Sequence, residues 1–334
     1  MSSGASSPTS TEFADRAQPF TLTERPLLSR STVDRQETLV NDGAKQALLW
    51  PSGRVLVLDG AGRVTVRAKG TQLVFSPTEG FGTEPPADAV LLGEQDGIGY
   101  WAVRVTSTEE GADGRFRGWE LPALGDGETQ LDLRQAGGLL NARDAGLFTT
   151  AAAVLNWHGI GRFCAKCGSS VNLAKAGWVS TCTGCGREEY PRTDPAVICL
   201  VHDGDGVNGE QVLVARGAFW PEGRYSVLAG FVEAGESLED CVVREIAEEV
   251  GVAVRDVRYL GNQPWPFPRS LMVGFTAVAD RSAPLRPADG EIAEAAWLTR
   301  EEVRAALAGE LAGFKLPGGP SIAHAMVKSW ADAE

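Results

Sequence analysis

Three glutamates, Glu245, Glu248 and Glu249, stand at i, i+3 and i+4 in a stretch from Leu238 to Val250 that is rich in helix formers and followed by Gly251. The spacing predicts a helix that crowds the three carboxylates onto one face. Leu238, Val242, Ile246 and Val250 recur every four residues and give that helix a neighbouring apolar stripe with which to bury itself. Three like charges held so close repel one another unless a cation lies between them, and an all-oxygen set suits a hard divalent ion, Mg²⁺ or Mn²⁺. Arg244 follows Glu236 by eight positions, about two helical turns, which allows an ion pair bracing the preceding loop against the helix. Glutamates on a helix are ordinarily a solvated face. Here Gly230, Glu236, Arg244, Glu245, Ile246, Glu248, Glu249, Gly251 and Val252 together spell G-x5-E-x7-R-E-U-x-E-E-x-G-U, with U aliphatic, and coincidence at nine positions argues for chemistry.

A second group has metal-ligand spacing. Cys164-x2-Cys167 and Cys182-x2-Cys185 are separated by fourteen residues, and two such knuckles bring four thiolates around one Zn²⁺. All four positions are protein ligands, so the zinc is structural. Gly168 and Gly186 follow the second cysteine of each pair, where the chain must turn tightly toward the sulfurs. Disulfides and a redox Cys-x-x-Cys are the competing readings; the lack of a signal peptide and the tandem pairing favour zinc. Cys199 and Cys241 lie in apolar strand and helix patterns and read as small core residues.

A third segment, Asn262-Gln263-Pro264-Trp265-Pro266-Phe267-Pro268-Arg269-Ser270, has three prolines in five residues. Fixed φ at each proline, and restriction of the residue before it, predict a stiff extended loop that cannot be helix. Trp265 and Phe267 on such a loop are held at little entropic cost, fit to line a pocket or stack on a base, or else to pack the core.

These motifs resemble a known family. The nine-position pattern is the Nudix box, and over about its last 140 residues the chain is similar to Nudix hydrolases. The resemblance implies an α/β/α sandwich and hydrolysis of a nucleoside diphosphate linked to another group. It assigns metal to Glu245 and Glu249, leaves Glu248 as the remaining acid of the cluster, and adds the Ala229 carbonyl as a ligand. The proline segment matches eight of nine positions of the S-Q-P-W-P-F-P-x-S signature of NudC-type NADH pyrophosphatases, with Asn262 replacing the first serine. A zinc ribbon, followed by a segment like Tyr190-Pro191-Arg192-Thr193-Asp194-Pro195-Ala196-Val197-Ile198, belongs to the same type. By that resemblance Gln263, Pro264, Trp265, Pro266, Phe267, Pro268, Arg269 and Ser270 contact substrate. Tyr190 and Phe231 sandwich the nicotinamide or adenine ring, Ala323 lies against substrate, and Glu291 is a further metal ligand. Arg134 falls loosely where the family places a basic residue reaching toward substrate and is left out of the site. The implied reaction is metal-assisted cleavage of NAD(H) to NMN(H) and AMP, with removal of NAD caps from RNA as a related activity and a homodimer as the working form. A nucleotide-sensing module is the alternative from another class, and hydrolysis of a different nucleoside diphosphate derivative such as ADP-ribose a nearer one; intact box glutamates count against the sensor.

The elements that must position these groups are readable at coarse grain. The chain of 334 residues is 43% hydrophobic, enough for ordinary cores in two or three domains. A net charge of −13 argues against non-specific nucleic-acid binding, so an anionic substrate must be met locally, through metal. The histidines, His158, His202 and His324, are scattered and read as packing or surface residues. The fold class expected is α+β: a disordered start over 1–18, a β-rich domain ending in a helix over 19–157, the ribbon over 158–194 and the hydrolase domain over 195–334. Ala47 to Trp50, Val55 to Leu58, Val64 to Val66, Ala89 to Leu92 and Tyr100 to Val105 read as short strands between turns, and Gly137 to Trp157 as helix. Ala196 to Val201 and Gln211 to Ala215 form a hairpin around Asp203-Gly204-Asp205-Gly206, Val227 to Phe231 delivers the box glycine, and Leu271 to Ala279 returns as a strand. Thr299 with Glu302 is a capping box, and Ser321 opens the last helix. No run approaches the ~18 apolar residues that span a bilayer, so a soluble cytoplasmic enzyme is expected.

Overall fold

The computed structural model describes residues 20–105, 123–204 and 209–333. The expected disordered start and the Asp205-Gly206 part of the hairpin turn lie outside them. The chain forms two compact units: residues 26–194 with 263–271, and residues 1–25 with 195–262 and 272–334.

In the first unit, α1 (Glu37–Asn41) and α2 (Gly43–Leu49) precede β1 (Arg54–Leu58), β2 (Val64–Arg67), β3 (Gln72–Leu73), β4 (Ser76–Pro77), β5 (Val90–Gln95), β6 (Ile98–Arg104) and β7 (Thr129–Leu131). A four-stranded sheet runs β4-β1-β6-β5, with β1 and β6 parallel, and a three-stranded one runs β3-β2-β7. Ala47 to Trp50, expected as strand, is the end of α2 and a 3-10 turn. Asp42 caps α2 by accepting from the Lys45 N–H, and the run Ala-Lys-Gln-Ala-Leu-Leu has high helix propensity, which outweighs the apolar character of its end. After α3 (Leu133–Ala136), the nineteen-residue α4 (Ala142–Ile160) packs Leu147, Phe148, Ala151 and Leu155 into a core shared with Leu56, Leu58, Val90, Leu92 and Tyr100. Asp144 is fully buried in α4 and is satisfied by the Leu73 N–H at 2.9 Å and by Arg143 at 2.8 Å, so it ties the helix to β3. The ribbon sheet β8 (Val171–Ala174), β9 (Val179–Cys182) and β10 (Glu188–Glu189) follows, in order β10-β9-β8.

The second unit is built on β11 (Asp194–His202), β12 (Gln211–Gly217), β13 (Leu228–Phe231), α5 (Leu238–Val250), β14 (Val254–Trp265), β15 (Ser270–Ala279), β16 (Ile292–Thr299), α6 (Arg300–Ala308) and α7 (Ile322–Asp332). Its sheet runs β14-β15-β11-β12-β16, and β13 pairs with β11 so that Gly230 faces Val197 in register. Ile198, Leu200, Val212 and Val214 pack with Val303 of α6 and Ile322, Met326 and Trp330 of α7. Residues of the other parity, Val197, Cys199, Val201 and Leu213, are equally buried, so both faces of the sheet are covered. α5 lies against β13 and β16. Its Val242, Ile246 and Val250 are buried, each stabilising by roughly 1.5–3 kcal/mol. Helices on both faces make the expected α/β/α layering. The stretch Asn262 to Trp265, expected as loop, continues β14. β14 is an edge strand, where a proline without a donor costs no ladder hydrogen bond. No helix among the described residues is long and apolar enough to cross a membrane.

Candidate active site and metal centres

α5 begins where the Ser237 hydroxyl accepts the Asp240 N–H and ends at Gly251, in the left-handed conformation. These are the limits the spacing predicts, and they set the phase that aligns the glutamates. Arg244 organises what surrounds them. Its Nε and Nη2 form a fork on Glu236 at 2.7 and 2.9 Å, its Nη1 donates to Glu245 at 3.0 Å and Glu248 at 2.9 Å, and Nη2 also donates to the Phe231 carbonyl at 3.0 Å. The bidentate guanidinium holds the Glu236 carboxyl at about 2 and fastens loop to helix.

Glu249 has the opposite environment. It is 7% exposed, and its Oε2 is buried with no hydrogen-bond partner. Burial first, then the charges of Glu245 and Glu291, push its carboxyl up to about 8, against the pull of the Ala229 N–H. Burial also raises Glu245. A side-chain methyl at residue 230 would lie 1.8 Å from the Glu245 Cδ, so only glycine lets that carboxylate lie against β13. An orphaned carboxylate oxygen, a cradle kept open by Gly230, and two acids, Glu245 and Glu249, raised by burial and by neighbouring negative charge make a donor set that fits a hard divalent cation. Glu291 bears electrostatically on both Glu245 and Glu249, and the Ala229 N–H reaches the Glu249 carboxylate. Glu248 stands apart, exposed and turned to Arg244.

The four ribbon cysteines form the one group among the described residues in which three or more metal-ligating atoms all lie within 4.8 Å of one another. Cys164 and Cys185 sulfurs are 3.8 Å apart and Cys167 and Cys182 are 3.4 Å apart. A tetrahedron with Zn–S bonds of about 2.3 Å has edges of about 3.8 Å. Hydrogen bonds from Ser169 hold Cys167 at about 6, and the N–H groups of Gly184 and Cys185 point at the Cys182 sulfur. Gly168 and Gly186 have φ of 73° and 69°, the left-handed turns expected after each knuckle. Cys199 and Cys241 are buried core thiols, as expected.

The proline segment is held in the first unit. Trp265 and Phe267 are partly buried against the α4 core and meet edge to face at 4.8 Å. Asn156 of α4 donates to the Pro266 carbonyl at 3.2 Å, and the Phe267–Pro268 peptide is cis. Arg269 is engaged with Asp194, which receives its Nε at 2.7 Å and donates its own N–H to the Arg269 carbonyl. Gln263 and Ser270 are buried, while Pro264 is partly exposed. Arg134 lies over the Phe267 ring at 3.8 Å and the Trp265 ring at 5.4 Å. No local pattern signals that contact, because 130 residues of chain separate its partners. Tyr190 and Phe231 expose 58% and 59% of their surface; Ala323 is 2% exposed, its side chain packed in the second unit's core.

Three family models match the chain: a NUDIX domain over residues 192–316, an NADH pyrophosphatase zinc ribbon domain over 162–190, and an NADH pyrophosphatase-like rudimentary NUDIX domain over 32–157. The class is therefore a Nudix hydrolase with a structural zinc ribbon. The chain is 47% identical over 322 residues, 94% of its length and 97% of the relative, to the NAD-capped RNA hydrolase NudC of Mycobacterium bovis, and to the same extent to that of Mycobacterium tuberculosis. It is 38% identical over 200 residues, 57% of its length and 42% of the relative, to the human NAD-capped RNA hydrolase NUDT12. The chain belongs to the NudC family of NADH pyrophosphatase-like Nudix hydrolases. The rudimentary domain is a reading that sequence patterning misses. Its long helix α4 carries Asp144 as its one acid, so it shows none of the carboxylate spacing that marks α5.

Proposed function

We propose that this protein hydrolyses the diphosphate bond of NAD(H) to give NMN(H) and AMP, and that the same cleavage removes NAD caps from RNA 5′ ends. The observation that carries this reading is Glu249, desolvated, unpartnered at Oε2 and lifted to about 8 beside Glu245 and Glu291. Such a carboxylate is poorly accommodated without a cation, and a diphosphate is the anion two or three shared cations would hold. Glu245, Glu249, Glu291 and the Ala229 carbonyl would hold Mg²⁺ or Mn²⁺, which supplies charge neutralisation at the phosphate oxygens. Arg244 keeps Glu236, Glu245 and Glu248 in register. Glu248 or Glu249 accepts the proton of the water that attacks one phosphorus, while the nucleotide on the other leaves. Trp265 and Phe267, with Arg134 across their faces, offer an aromatic wall for the dinucleotide, along with the other residues of the segment Gln263 to Ser270. The exposed rings of Tyr190 and Phe231 offer faces for a base, whereas Ala323, its side chain in the core, is assigned a substrate contact by resemblance alone. A homodimer in the cytoplasm is part of the proposal, supported by the family resemblance.

The test is a panel of dinucleotides, including NADH, NAD⁺ and ADP-ribose, with products identified by mass, run on wild type and Glu249→Gln. The expected outcome is NMN(H) and AMP from NAD(H), lost in the variant while its melting temperature holds. Near-normal turnover by Glu249→Gln with Mg²⁺ or Mn²⁺ refutes the assignment.

A further inference from the structure

The loop from Ala218 to Arg224 carries Phe219 at 95% exposure and Trp220 at 40%. A single exposed aromatic needs no explanation, but two adjacent rings on a loop fastened at both ends are presented rather than merely left over. At the near end the Ala218 N–H donates to the Glu291 carbonyl at 2.8 Å, the Trp220 N–H to Gly217 at 3.0 Å, and Arg216 to the Trp220 carbonyl at 3.3 Å. At the far end the Lys315 N–H donates to Gly223 at 2.6 Å and the Tyr225 N–H to Lys315 at 3.0 Å, while Tyr225 stacks on Phe314 at 4.4 Å.

The first anchor locates the rings. The Glu291 N–H donates to the Ala288 carbonyl at 3.2 Å and the Ala288 N–H to the Glu249 carbonyl at 2.9 Å, so a loop hydrogen-bonded to the Glu291 backbone starts two backbone hydrogen bonds from Glu249. Of the cations beside the rings, Arg216 is paired with Glu294 at 2.7 Å. Arg224 lies 5.2 Å from the Trp220 ring centre and stands in register with Lys315, both are exposed, and Glu222 is the one acid of the loop. Two exposed cations, Arg224 and Lys315, beside two exposed rings are the chemistry that takes single-stranded nucleic acid: sequence-tolerant stacking with cations for the phosphates.

We propose that Phe219 and Trp220 form a stacking platform for the nucleotides that follow the cap in an NAD-capped RNA. The platform supplies affinity for the RNA body that the free dinucleotide does not use. This rests on the capped-RNA half of the function proposed above.

The experiment measures kcat and KM of the full chain on NAD⁺ and on a short NAD-capped single-stranded RNA, for wild type, Phe219→Ala and Phe219→Tyr. Phe219 is so exposed that truncating it leaves the fold intact. Loss of one stacked base raises KM for capped RNA by about tenfold, within the range for such contacts, while kcat/KM on NAD⁺ stays within about twofold. Phe219→Tyr retains the wild-type ratio. Equal changes on both substrates, or none on either, overturn the proposal. So does a change of oligomeric state in Phe219→Ala by light scattering, which would give the rings to a second copy of the chain. Wild-type protein that cleaves NAD⁺ and not capped RNA overturns the capped-RNA reading together with this one; wild-type cleavage of both, with an indifferent variant, overturns this one alone.

Discussion

Gly230→Ala separates the position of the Glu245 carboxylate from the stability of the fold. The added methyl would stand 1.8 Å from the Glu245 Cδ, 2.0 Å from Oε1 and 2.2 Å from Oε2, where ordinary contact begins at 3.4 Å. The carboxylate must therefore retreat by about 1.5 Å. That movement is cheap for the fold, because the group displaced is the end of a flexible side chain and residue 230 sits in a strand without positive φ. Removing a strand glycine contributes up to ~1 kcal/mol in the other direction, a melting-temperature shift of about 2–4 °C for a domain of this size. Catalysis does not tolerate the same movement, since misplacing a reacting group by an ångström costs on the order of 100-fold, about 2.7 kcal/mol in the barrier. The assay is AMP release from NADH by chromatography at saturating Mg²⁺, beside thermal melts. The expected result is turnover reduced by about 100-fold or more with an unchanged melt. Adding Glu245→Asp, which shortens the acid by one methylene, should harm the Gly230→Ala protein less than it harms the wild type. Gly230→Ala with more than about half of wild-type turnover refutes the argument that glycine is there to admit Glu245.

Arg244→Lys keeps one charge and loses the fork on Glu236, so turnover should fall on the order of 10- to 100-fold, and Glu236 measured by NMR titration should rise from about 2; an unmoved Glu236 counts against Arg244 as organiser. Cys182→Ser should abolish stoichiometric zinc by elemental analysis and lower the melting temperature, since structural zinc contributes folding free energy outright; full zinc occupancy in that variant contradicts a four-thiolate site. His158 is half-buried with Nε2 donating to the Gly177 carbonyl at 2.7 Å, and desolvation holds its pKa below the usual value of about 6.5. A folded value below the unfolded one means that stability is complete above about 6.5 and is lost as pH falls from there toward the folded pKa. Melts from pH 7.5 to 5 should show that loss, and His158→Gln should flatten part of it, the buried His202 supplying the remainder; an unchanged slope removes His158 as a source.

How much was legible followed from range. The limits of α5, its Ser237 start, the Arg244–Glu236 pair, the left-handed turns at Gly168 and Gly186 and the Thr299 capping box depend on residues a few positions apart, so their spacing carries the geometry. Ala47 to Trp50 is helix and 3-10 turn rather than strand: four apolar residues have no distinctive period, while the deciding signal, the Asp42 cap, lies upstream. The extension of β14 through Pro264 was illegible because only the strand order places it at a sheet edge.

The amino-acid order by itself determined the metal chemistry: three acids at helical spacing, four thiols in two knuckles, and an aromatic segment stiffened by proline, each written within one local element. Tertiary structure alone decided how those groups differ from one another. Burial left Glu249 Oε2 unpartnered and its carboxyl near 8 while Arg244 took Glu248, and β13 brought Gly230 up to Glu245 from fifteen residues away. Folding put Arg134 across Trp265 and Phe267 and left Phe219 bare on a loop tied to Glu291. The physical reason is that backbone periodicity is short-ranged, whereas desolvation, charge coupling and ring contacts depend on what distant segments of chain bring into the same few ångströms.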